Sequence, residues 1–218
     1  MPTFQTIVAF PSVEIEDQEK DAFRLCLGKL IKEQSPSLYE HFDDSDASFY
    51  YPLVQYKVIG KTPILLAYNE AAEWLDKLLK DKKKIYFEER VHPISEENIK
   101  QARLSINPTG EMIEYEFKSL WLALNQKNFS IYNKLSVEEK KIFLDKNLQN
   151  NIISCLKGLN YYATERITVN ARLLETRTQF KDKKMLGFSG TFITNAILPE
   201  WIGLGRLVGQ GFGAVSKK

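Results

Sequence analysis

What most constrains this chain is a change of apolar period, from two residues to 3.6 and back, that traces the same order of elements twice. Residues 3–10 read as a strand. Across 17–32, Phe23, Cys26, Leu27, Leu30 and Ile31 recur at helical spacing. Residues 33–48 are a polar loop holding Pro36, His41 and the three aspartates Asp43, Asp44 and Asp46. The stretch 49–59 is rich in β-branched and aromatic residues, and Gly60-Lys61 turns it into a second strand over 62–68. Asn69 stands where a cap is needed for a helix whose Ala71, Trp74, Leu75, Leu78 and Leu79 form one apolar stripe. Residues 84–90 close the unit as a further strand.

The second half repeats the order more loosely. Ile113, Tyr115 and Phe117 alternate with Glu114, Glu116 and Lys118, the signature of a half-buried strand. Ser136 and Glu139 form a capping box for a long helix reaching about Leu159, with a break expected near Asn150-Asn151. Ile167, Val169, Ala171 and Leu173 alternate with Thr168, Asn170 and Arg172, and another strand follows over 184–194 after a turn near Asp182. A glycine-rich loop then leads to a last strand over 212–216. The expected fold is α+β: two tandem ferredoxin-like domains with antiparallel sheets, the first in β-α-β-β-α-β order and the second repeating it loosely, ending in the glycine-rich loop. The polar stretch 95–101, just past His92-Pro93, marks the junction, giving domains of 1–92 and 93–218.

Composition narrows the function classes. With 44% hydrophobic and 27% charged residues in 218, the chain has the balance of an ordinary soluble protein. No apolar run approaches the roughly 18 residues of a membrane span, and residues 1–12 do not read as an export signal. Cys26 and Cys155 sit within amphipathic helical patterns, too few for a disulfide framework or a cysteine-rich zinc site. A reducing cytoplasm is the expected compartment. Residues 1–156 hold 20 Lys and Arg against 24 Asp and Glu, whereas 157–218 hold 10 against 4, so positive charge gathers in the C-terminal part. Such asymmetry suits a polyanion-binding surface there, and equally suits chance clustering of solvated lysines.

Five of the eleven glycines fall within 203–213: Gly203, Gly205, Gly209, Gly211 and Gly213. Glycine lets a ligand approach the main chain closely, and clustered amides can cradle phosphates. A dinucleotide fingerprint would need a helix and an acidic residue beyond the loop, but only five residues follow Gly213. A Walker loop would need Gly-Lys-Ser/Thr, which is absent. With Leu204, Arg206 and Phe212, the spacing resembles the glycine-rich loop of the repeat-associated mysterious protein (RAMP) superfamily. Within it, the whole chain resembles the CRISPR-associated endoribonuclease that processes precursor CRISPR RNA. The strand Tyr51-Pro52-Leu53-Val54-Gln55-Tyr56-Lys57 and the segment 186–213 support this.

The resemblance implies RNA cleavage without metal or cofactor: the ribose 2′-hydroxyl attacks the adjacent phosphate, leaving a 2′,3′-cyclic phosphate and a 5′-hydroxyl. It places the catalytic histidine in the polar loop, which here holds His41. An imidazole titrating near 6.5 suits acid–base work at neutral pH. The other histidine, His92, precedes Pro93 near the domain junction and reads as having no chemical role. In an extended loop Tyr39 would face the same way as His41, and a phenol donates a proton more readily than it acts as a base. It is a candidate second proton carrier, or a core aromatic. Lys57 is the candidate for charge stabilisation, against a solvated strand lysine, with Lys61 a weaker substitute. Asp43, Asp44 and Asp46 lack the spacing of a calcium loop, so no metal is expected. RNA contacts are expected from Gly203, Gly205, Arg206, Gly209, Gly211, Phe212, Gly213, Arg172, Asn170, Lys183 and Lys184, with Arg177 and Lys181 nearby. Trp74, Trp121 and Trp201 read as core. The implied partner is the precursor RNA repeat. A CRISPR effector complex and a homodimer stay open, as does the alternative of a non-catalytic RAMP subunit binding guide RNA in such a complex.

Overall fold

The structure, a computed structural model, describes residues 3–16, 18–42, 51–180 and 183–218, with backbone only at Gln34, Ser37, Leu38 and His41. The chain divides into two compact units: Met1–Ser105 with Gly209–Gly211, and Ile106–Val208 with Phe212–Lys218.

In the first unit the order is β1 (Thr3–Ala9), α1 (Lys20–Gln34), α2 (Pro36–Phe42), β2 (Val54–Ile59), β3 (Thr62–Tyr68), α3 (Glu70–Asp81), β4 (Lys84–Phe87), β5 (Arg90–Pro93) and β6 (Ile99–Leu104). The main sheet runs β2-β3-β1-β6, antiparallel throughout. Residues opposite one another in such a sheet share a face. Thr6, Val8, Leu65 and Tyr56 therefore lie on one side, and both long helices pack there. Phe23 of α1 meets Phe10 at 5.5 Å and Tyr56 at 6.3 Å between ring centroids. Thr6 donates to the Ala72 carbonyl of α3, whose buried stripe is Ala71, Ala72, Leu75, Leu78 and Leu79.

Several expectations need correcting here. Residues 84–90 do not close the main sheet; β4 and β5 form a separate two-stranded hairpin. The closing strand is β6, which begins inside the stretch read as a polar junction and runs beyond it, and the units part after Ser105 instead of near His92. As an exposed edge strand, β6 shows no apolar alternation, and its backbone pairing with β1 is what holds it. The polar loop contains a helix, α2, with Pro36 at its first position, where proline fits without losing a hydrogen bond. Asn69 precedes α3, but at φ +53° its side chain makes no cap bond to the helix start. Trp74 is 54% exposed, beside the buried stripe and not in it.

The second unit comprises β7 (Pro108–Phe117), α4 (Gln126–Tyr132), α5 (Val137–Gly158), β8 (Val169–Phe180), β9 (Lys183–Ala196) and β10 (Val215–Lys217), in a sheet of order β10-β7-β9-β8. Its core is aromatic: Trp121 stacks on Phe117 at 5.6 Å, and Phe192 meets Phe117 at 5.2 Å and Tyr115 at 5.5 Å. The capping box forms as expected, with Ser136 N donating to Glu139 and Glu139 N to Ser136 Oγ. The ionised Glu139 carboxylate accepts that bond, which holds its carboxyl below the ordinary range. No break occurs at Asn150-Asn151, and Asn151 accepts the Trp121 indole N–H at 3.0 Å. The two tandem α+β units with antiparallel sheets match the ferredoxin-like expectation.

Candidate functional site

The glycine-rich segment is built by backbone bonds. Gly203 bridges to Ala214, Leu204 N donates to Gly213 O, Gly213 N to Leu120 O, and Arg206 N to Leu122 O. Two glycines are required by space as well as by conformation. At Gly205 (φ +91°) a Cβ would stand 2.6 Å from the Trp121 indole nitrogen. At Gly213 (φ +67°) it would stand 1.9 Å from the Leu204 carbonyl oxygen. Leu204 and Val208 are buried, and Phe212 meets Phe180 edge-on at 5.6 Å.

The tip, Gly209–Gly211, belongs to the first unit. Arg24 of α1, only 8% exposed, donates from Nε to the Gly209 carbonyl at 3.2 Å and from Nη2 to the Phe42 carbonyl at 2.7 Å. Its guanidinium also lies 4.6 Å from the centroid of the Phe42 ring. Phe42 nestles against α1 at Gly28, where a Cβ would come within 3.1 Å of the ring. One cation thus ties the glycine-rich tip to α2, the helix that carries His41. The His41 side chain lies outside the described residues; its backbone stands one position before Phe42.

Tyr39 is half-buried, with the Lys32 ammonium 5.1 Å from its ring and the Phe42 ring at 6.4 Å. The segment is helical where an extended loop was expected, and backbone positions two apart on a helix are not neighbours on one face, so the extended-loop pairing of positions 39 and 41 does not apply. Lys57 and Gln55 are both fully buried on β2, which excludes a solvated lysine. A Cβ on Gly211 would lie 3.8 Å from the Tyr56 carbonyl oxygen, so the tip also borders β2 at this point. Burial pushes the Tyr56 phenol well above its ordinary value, with Asp21 adding to the rise and Arg24 opposing it. Lys61 is spent in an exposed ion pair with Glu16. His92 sits on β5 with Nδ1 3.2 Å from the Ser12 carbonyl. Cys26 donates to the Tyr86 carbonyl at 3.1 Å, and burial raises its thiol; Cys155 is buried in α5.

Within the second unit, a groove of about 1120 Å³ gathers Arg177, Lys183, Lys184 and Arg206. Arg206 is fixed there by donating to the Leu124 carbonyl at 3.0 Å. Asn170 and Arg172 do not join it. Alternation along β8 puts them on the face opposite Arg177, and Asn170 accepts from Lys141. Lys181, Asp43, Asp44 and Asp46 lie outside the described residues. Among the described residues, no group of three His, Cys, Asp or Glu is placed to hold a metal, and no helix is long and apolar enough to cross a membrane.

Residues 4–105 match the Cas6b N-terminal domain, and residues 107–218 match the Cas6b C-terminal domain. The chain belongs to the Cas6b family. A solved structure described as Cas6b superposes over the whole of both chains with a TM-score of 0.83 at 26% identity. A second, described as the CRISPR RNA processing endoribonuclease Cas6b, does so with a TM-score of 0.81 at 27% identity. An uncharacterised protein of Methanocaldococcus jannaschii is 42% identical over 107 residues, covering 48% of this chain and 71% of that one. The resemblance to the CRISPR RNA processing endoribonuclease family is borne out. Sequence reasoning missed Arg24, although a signal was present: Arg24 falls in register with Leu27, Gly28 and Ile31 on one face of α1, a charge among apolar positions.

Proposed function

We propose that this Cas6b-family protein cuts precursor CRISPR RNA within its repeats by metal-independent transesterification. The observation that carries the reading is the Arg24 bridge, which joins the tip of the glycine-rich segment to the carbonyl beside His41. His41 takes the proton of the ribose 2′-hydroxyl; the 2′-oxygen bonds to phosphorus as the bond to the 5′-oxygen breaks. The leaving oxygen gains a proton, and the products carry a 2′,3′-cyclic phosphate and a 5′-hydroxyl. Attacking and leaving oxygens stand roughly in line, so base and acid work from different sides of the phosphate. Tyr39, set off from His41 around α2, is the candidate donor to the leaving oxygen. Lys57, buried on β2 where the tip approaches, is assigned a fixed positive field beneath the reacting phosphate. Arg177, Lys183, Lys184 and Arg206 hold the RNA backbone from their groove.

The test is incubation of the purified chain with its own repeat RNA in EDTA. A cut leaving a cyclic phosphate, lost in His41→Ala while binding persists, is the expected result. Binding without cleavage by the wild-type protein would favour a non-catalytic RNA-binding subunit, and cleavage only with added magnesium would remove the proposed chemistry.

A further inference from the structure

The helix α4 buries Tyr132 in the aromatic core but leaves Phe129, three residues earlier on the same face, 42% exposed in the basic groove of the second unit. What sets Phe129 apart from other exposed apolar side chains is its place, an open aromatic face among cationic and carboxamide groups in one groove. Its surroundings are those of a nucleotide site. Arg177 and Arg206 supply charge for phosphates, while Gln126 and Gln179 supply paired donors and acceptors suited to base edges. The groove's carboxylate, Glu175, is engaged by the Tyr132 hydroxyl at 2.6 Å and by Lys140 at 3.7 Å, which offsets its repulsion of phosphate.

From this we infer that Phe129 is a stacking platform for an unpaired base, so that the groove takes single-stranded RNA in preference to duplex. The inference rests on the proposed RNA-processing reading and names the substrate form that this groove holds. Duplex RNA is bound through its shape and backbone, and its bases stay stacked on one another with no face free for an aromatic ring. An unpaired base offers its face to Phe129 and its edge to the carboxamides.

The experiment measures binding by fluorescence anisotropy, using the repeat RNA as a single strand and the same RNA annealed to its complement. Wild-type protein, Phe129→Ala, Phe129→Leu, Phe129→Trp and Arg177→Ala are compared, each checked for folding by thermal melting. Phe129→Ala is expected to weaken single-strand binding by about 5- to 150-fold, the range alanine substitution of a base-stacking aromatic gives, and to leave duplex binding unchanged. Phe129→Leu keeps the apolar packing without an aromatic face and should weaken binding similarly, whereas Phe129→Trp should retain it. Arg177→Ala should weaken both RNA forms and flatten the salt dependence of single-strand binding by about 0.7 in log–log slope.

Equal single-strand affinity in Phe129→Ala and wild type, or an equal loss for duplex, overturns the inference. If the wild type cleaves its repeat normally while Phe129 proves indifferent, only the inference fails. If single-strand binding depends on Phe129 but no cleavage occurs, the inference stands and the proposed chemistry fails. Wild-type protein that binds neither RNA form overturns both.

Discussion

The two units share a strand order, with the first strand of each flanked by its third and its last, yet they fill the second crossover differently. In the first unit it begins with α3, which satisfies its own backbone and turns five apolar side chains inward. In the second, among the described residues, it holds no α-helix, only a short 3₁₀ turn over Val208–Gln210 within the glycine-rich segment. There the backbone bonds run outward to Leu120 and Leu122 and across the segment itself. A helix conceals its polar backbone wherever it packs. A segment tied down by its neighbours can instead hold main-chain groups at fixed points with few side chains in the way, a design suited to gripping a polyanion. In the proposed reading the comparison also separates chemistry from grip: His41 belongs to the first unit, and the basic groove to the second.

The largest expected effect tests that separation. His41→Ala should lower the single-turnover cleavage rate by about 10²- to 10⁴-fold, the usual worth of general acid–base catalysis, with the dissociation constant for RNA little changed. Arg206→Ala should do the reverse, raising the dissociation constant while saturated cleavage stays close to wild type. If His41→Ala loses binding in proportion to activity, the division of labour between the units is wrong.

Next comes the crossover itself. Gly213→Ala sets a methyl group 1.9 Å from the Leu204 carbonyl oxygen at a positive φ, so the segment must move. A loss of about 3 kcal/mol is expected, against about 1 kcal/mol for Glu73→Gly on the exposed side of α3. Urea titrations of both variants measure the ratio. Similar losses would mean that the glycine-rich segment is no more constrained than the helix.

What the sequence could reveal followed from where side chains face. Ile113, Tyr115 and Phe117 are read correctly because one face of β7 is buried and the other is not. The Ser136–Glu139 box is read correctly because capping is local chemistry, and the glycines stand out because a Cβ at Gly205 would overlap the Trp121 indole and one at Gly213 the Leu204 carbonyl. β6 was illegible because an exposed edge strand is held by its pairing with β1 and leaves no apolar trace. α2 was illegible because its seven residues carry too few apolar positions to show a period. Trp74 misled because a periodic stripe has margins, and a tryptophan on the margin counts the same as one at the centre. The candidate site was half visible. His41 and the glycines are named by their types, whereas the Arg24 bridge joins residues far apart in the chain that no local pattern links.

Arg24→Ala tests whether that bridge bears on the chemistry. It leaves two carbonyls without their charged donor, a loss of about 1.5–3 kcal/mol per interaction with a charged group. If Arg24 positions α2 against the tip, the cleavage rate at saturating RNA should fall by more than the RNA affinity does. Arg24→Lys keeps the charge but lacks the planar fork that reaches both Gly209 and Phe42, so it should recover stability more fully than rate. Equal recovery of both would reduce Arg24 to a structural residue and leave the glycine-rich tip unconnected to the chemistry.

The smallest expected effect contrasts the two helix starts. α5 opens on a carboxylate, Glu139, whose folded-state value is depressed by the Ser136 N–H it accepts; α3 has no side-chain cap bond at Asn69. A depressed folded-state value means that this stabilisation is present above the ordinary carboxylate range and is lost as pH falls through the depressed value. Glu139→Gln should therefore melt slightly below wild type at neutral pH, with the gap closing in acid as the wild-type carboxylate takes up its proton. Asn69→Ala should show no such pH-dependent gap. A Glu139→Gln difference that persists unchanged into acid would mean that the start of α5 does not depend on an ionised carboxylate, and the two helices would then differ in sequence at their caps without differing in how charge holds them.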